Sequence, residues 1–125
     1  MKISGVVKII FAWKARMAIS AISLLIFSGT AFAGVTVAKI NILLVFESGN
    51  LIYVYPVGGV QDSPACHTVS GSYYSFSLDR PRAREYYAGL LAAHLSGRTV
   101  SLRGTGACTD QSTSETLSYF SILSS

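Results

Sequence analysis

Two cysteines, Cys66 and Cys108, and two histidines, His67 and His94, are the first side chains to weigh for nucleophilic or metal chemistry. The adjacent pair Cys66-His67 together with Cys108 has the flavour of a mixed ligand set. A closed zinc site, however, needs four ligands at tight spacing, and His94 falls in a stretch with helical periodicity. The preferred reading is a Cys66–Cys108 disulfide, with two free thiols or half of a metal site as the alternatives. A disulfide leaves no thiol for nucleophilic catalysis. Serines are plentiful, but Ser70-Gly71-Ser72 is not a nucleophile elbow between a strand and a helix. Asp79 and Glu85 open a helical segment, where carboxylates complement the helix dipole without doing acid–base work. Gly104-Thr105-Gly106 is a lone glycine pair, without the lysine of a phosphate loop or the spacing of a dinucleotide fingerprint. His94 reads as a packed histidine on the helix's inner stripe, and His67 as a strand-end residue. The expectation is no enzyme, no cofactor and no metal.

Binding has more to work with. Tyr53 and Tyr55 alternate about Val54, and Tyr73 is followed by Tyr74, so one of each opposing set points away from the core. A tyrosine beside serine, as in Ser72-Tyr73, offers a stacking face with hydroxyl partners, suited to a sugar or to another protein. Ser72, Tyr73, Tyr53 and Tyr55 form the candidate ligand-binding surface; ordinary sheet packing also explains tyrosines in strands. The cluster Arg80, Arg82 and Arg84 reads as a solvated face, with contact to an acidic partner as the alternative.

Whether these groups meet depends on where the chain works. Lys2, Lys8, Lys14 and Arg16 precede a short apolar run, Met17 to Phe27, and Ala31-Phe32-Ala33 sets small residues at the two positions a signal peptidase reads. Residues 1–33 therefore read as a cleavable export signal, too short in its apolar part to remain as a spanning helix of roughly 20 residues. Those four cations account for the whole formal charge of +4, because the other six Lys and Arg are matched by six Asp and Glu. The mature chain then lacks the cationic excess of a nucleic-acid binder. It is expected in the periplasm or outside the cell, with no membrane span after cleavage. An oxidising compartment suits the disulfide, which in the chain-entropy model contributes about 4 kcal/mol.

Residues 34–125 read as one small domain. Val35 to Phe46 is β-rich, with Ala38, Ile40, Ile42, Leu44 and Phe46 on one face, and Ser48-Gly49-Asn50 turns it into a second strand, Leu51 to Tyr55. Ser70 to Leu78 alternates as a third strand, with Ser75 and Ser77 on its polar outer side. Asp79 is the expected N-cap of a helix from about 80 to 96, with Pro81 in its first turn and Gly97 at its end. Arg98 to Arg103 and Thr116 to Leu123 are strands four and five. The order β-β-β-α-β-β is that of the OB-fold, a small partly open barrel plugged by its helix. An open α+β sheet covered by one helix shares the same order.

The run Arg84 to Leu102 (REYYAGLLAAHLSGRTVSL) carries a helix through Ser-Gly into a Val-x-Leu strand. In this it resembles the B-subunits of AB5 toxins, of the subtilase-cytotoxin and pertussis-like branch. The resemblance implies an exported OB-fold protein with a disulfide, a homo-oligomer (a pentamer) and glycan binding at a cell surface. It assigns no sugar-contacting residue here. The expected partners are thus a glycan or a protein surface, the latter fitting a monomeric accessory or inhibitor protein.

Overall fold

The computed structural model describes residues 33–70 and 72–125. The charged and apolar parts of the expected export signal, residues 1–32, lie outside them. Five strands and one helix follow in chain order: β1 (Val35–Phe46), β2 (Leu51–Pro56), β3 (Tyr74–Ser77), α1 (Ala83–Ser96), β4 (Thr99–Gly104) and β5 (Leu117–Ile122). A 3₁₀ turn, Glu47–Gly49, closed by Asn50 in the left-handed conformation, folds β2 back on β1. The chain is mainly β with one helix, as its strand pattern predicts.

The strands lie in the order β3-β2-β1-β4-β5, each antiparallel to its neighbour. The two outer strands meet as well. Ser75 of β3 bridges Thr116, just before β5, in parallel, and its N–H donates to the Glu115 carbonyl at 3.1 Å. The sheet thus curls towards closure with the strand neighbours of an OB-like barrel.

Its interior is filled by Ile40, Ile52, Val54, Tyr74, Phe76, Val100, Leu102 and Leu117, onto which α1 lays Ala83, Leu90 and Ala93. α1 approaches β5 so closely that a Cβ on Gly89 would lie 2.6 Å from the Phe120 ring. Gly97, at φ 64°, ends the helix as expected, its N–H reaching back to the Ala93 and His94 carbonyls.

Four local expectations are corrected. In β1 the register shifts between Ile40 and Ile42, so the faces change over at a bulge. Thr36, Ala38, Ile40 and Leu43 face inward, while Ile42, Leu44 and Phe46 are exposed on the outside with Val35 and Val37. The helix starts at Ala83, not near residue 80, and Asp79 does not cap it; Arg82 stands at its N-cap with φ 61°. Arg80 is drawn away from solvent: its guanidinium donates to the Leu117 and Ser118 carbonyls and lies 4.6 Å from the centre of the Tyr86 ring. It brackets the helix approach to β5 and is no part of a solvated arginine face, leaving only Arg82 and Arg84 exposed. The third strand is shorter than expected, and Ser75 on its outer side is buried, covered by the segment 107–116.

Candidate functional site

On the outer face of β1–β3, the pairing Leu44↔Tyr53 and Ile42↔Tyr55 sets tyrosines beside exposed aliphatics. Tyr73, just before β3, joins them. Four rings form a ladder: Phe46 stacks on Tyr53 at 5.5 Å, Tyr53 on Tyr73 at 4.3 Å, and Tyr73 meets Tyr55 at 4.8 Å. Leu51 and Val69 pack against it. The inner rungs are covered, with Tyr53 at 8% and Tyr73 at 6% exposure, whereas Phe46 at one end is 42% exposed and Tyr55 at the other is half-buried. The rings available to a ligand are therefore the two ends.

The hydroxyls of the inner rungs are also engaged. Tyr73 Oη donates to Gln111 Oε1 at 2.8 Å, and Gln111 Nε2 donates to Tyr53 Oη at 2.8 Å. Ser114 Oγ donates to the same Gln111 oxygen at 2.6 Å, and shares a hydrogen bond with Ser75 Oγ. One carboxamide thus braces both tyrosines. Burial pushes the Tyr53 and Tyr55 hydroxyls up from their usual range, with Tyr73 adding to it in both, so both stay protonated and neutral. Chemically the ladder is an apolar platform with protonated polar edges; it presents no nucleophile.

Of the four residues expected at the surface, the structure gathers Tyr53, Tyr55 and Tyr73 into one cluster. Ser72 turns instead to the loop before it, where its Oγ accepts the Val60 N–H at 2.7 Å from a backbone at φ 45°. Phe46 and Gln111 were not legible as members. Phe46 joins only because the β1 bulge reverses its face, and Gln111 sits in a loop with no pattern to mark it.

The cysteines are joined: Cys66 and Cys108 form a disulfide with Cα atoms 6.1 Å apart, tying the loop after β2 to the loop after β4. His67, expected at a strand end, lies in the first of these loops. Its Nδ1 accepts the Glu115 N–H at 2.9 Å while Nε2 has no partner among the described residues, and burial holds its pKa below the ordinary histidine value. His94 lies on the inner side of α1, where Nδ1 meets the Ile40 carbonyl at 3.0 Å. Among the described residues, no three His, Cys, Asp or Glu side chains are grouped to hold a metal ion, and no helix is long and apolar enough to cross a membrane. No protein-family model, curated protein or solved structure matches this chain.

Proposed function

We propose that this chain is an exported, non-enzymatic binding protein whose working surface is the outer face of β1–β3. The observation that carries this reading is the row of exposed apolar side chains on β1, namely Val35, Val37, Ile42, Leu44 and Phe46, set against the braced tyrosine ladder. Apolar side chains gathered on one exposed face mark contact with another macromolecule. The row suits a second copy of the chain, in keeping with the homo-oligomer that the B-subunit resemblance implies. A glycan would use the ends of the ladder, where Tyr55 and Phe46 offer rings, and the polar loop around Ser72 borders it.

The test is the solution mass of oxidised residues 34–125, measured by light scattering on a sizing column, alongside a glycan array. The expected result is a mass of several protomers that Leu44→Asp returns to monomer with an unchanged circular dichroism spectrum. Tyr55→Ala should lower array binding at least tenfold without changing the mass. A monomer that binds no glycan overturns this reading and leaves a monomeric accessory or inhibitor protein, which would engage another protein through the same apolar row.

A further inference from the structure

Glu115 is fully buried, in the segment that leads into β5. Its Oε1 accepts two backbone N–H groups, from Gly106 at 3.0 Å and from Gly34 at 3.2 Å, and its Oε2 has no partner among the described residues. The pocket is shaped for this carboxyl: a Cβ on Gly104 would overlap it. Among the described residues, the titratable groups around it bring no positive charge. His67 uses its Nδ1 to accept the Glu115 backbone N–H, and Tyr74 is a neutral phenol bonded to Thr36 Oγ1 at 2.8 Å. Asp62, whose backbone carbonyl crowds Gly34, is another acid. A buried carboxylate with one bare oxygen and no counter-charge is costly, because desolvation falls on the charged form.

The sequence holds a cation in reserve at this spot. Ala31-Phe32-Ala33 ends the expected signal immediately before Gly34. Hydrolysis of the Ala33–Gly34 amide consumes one water: the hydroxyl goes to the Ala33 acyl carbon, which becomes a carboxylate, and the Gly34 nitrogen gains the two protons and becomes an ammonium. We propose that the mature chain begins at Gly34 and that its new α-ammonium is the counter-ion of Glu115. The nitrogen already stands 3.2 Å from Oε1, so the charge arises in place. Three donors replace one.

Two further features fit a first residue at this position. A Cβ on residue 34 would lie 2.6 and 2.7 Å from the carbonyl oxygens of Gln61 and Asp62, so only glycine fits. The Gly34 carbonyl accepts the Gly104 N–H at 2.9 Å, which pins the terminus to β4. Gly34 is also buried in the folded domain, so a peptidase reaches the bond only while the chain is unfolded. Cleavage comes first, and folding then encloses the new terminus.

The experiment starts from the full-length chain, exported by a bacterium and purified in its mature form. Intact mass should place the first residue at Gly34. In ¹⁵N-labelled protein the Gly34 α-amine should titrate at least one unit above its ordinary value of about 7.7–8.0, a tenfold or larger shift in its proton affinity. Glu115→Gln should return it to the ordinary range. Should that variant not fold, an oxidised chain keeping Phe32 and Ala33 serves as the comparison.

In that longer chain burial holds the Glu115 carboxyl above its ordinary value, so stability present at acid pH is lost as pH rises through the raised value. The mature chain keeps its stability there and loses it only as pH rises through the raised α-amine value. At pH 7 the unfolding constant of the longer chain should be at least tenfold larger, with the gap closing towards pH 4. His67, Tyr74 and Asp62 are common to both chains and cancel. A different first residue, an ordinary α-amine, or equal stability of the two chains between pH 5 and 8 overturns the proposal.

Discussion

A single glutamine holds the tyrosine ladder in register. Gln111 both donates and accepts, and the two hydroxyls it joins belong to rings stacked 4.3 Å apart. Gln111→Ala would strand Tyr53, Tyr73 and Ser114 with unmet polar groups in a part-buried setting. The expected loss of stability is about 1–2 kcal/mol, read from urea melts with an unchanged m-value. The tyrosines themselves were readable from their alternation; their keeper was not, because it lies 58 residues from one partner and 38 from the other. The same holds for Arg80, which its neighbours Arg82 and Arg84 make look like a surface charge. Only the distant carbonyls of Leu117 and Ser118 reveal it as a bracket.

Where helix α1 meets the Phe120 ring of β5 it presents a glycine, Gly89, beside Tyr86. Gly89→Ala in a helix would ordinarily gain up to about 1 kcal/mol from propensity. Here the added methyl meets the Phe120 ring at 2.6 Å, and that ring is held edge-on by Tyr86. Overpacking of this kind costs about 1–3 kcal/mol, so the substitution should lower the melting temperature despite its helix propensity. Strand and helix identities were legible because they rest on local periodicity, and Gly97 ended α1 where a left-handed residue was needed. The faces of β1 were not. From Ile42 to Phe46 both sides of the strand are apolar, so alternation there is ambiguous, and a bulge settles which side meets the core. The helix start was misplaced for a related reason: Asp79 is a good cap by type, but its N–H bonds to Ser77 Oγ in a turn that ends earlier.

At the scale of the whole molecule, a small curled sheet covered by one helix has a thin stability margin, and the disulfide widens it. Replacing both Cys66 and Cys108 by serine should cost about 2–4 kcal/mol, measured as the shift in denaturant midpoint. The β-β-β-α-β-β order and the disulfide followed from pattern and composition. The closure of the sheet by Ser75 and Thr116 did not, since a single bridge between distant segments leaves no periodic trace. The disulfide's position has a further consequence. Cys66 precedes the histidine that receives the Glu115 N–H, and Cys108 follows closely on Gly106, which donates to the Glu115 carboxyl. On the proposal that the chain is exported and cut before Gly34, oxidation and removal of the signal would both act on one small region of the fold. On that proposal a copy not yet exported lacks both constraints and is the less stable one, so that completing the fold is tied to delivery.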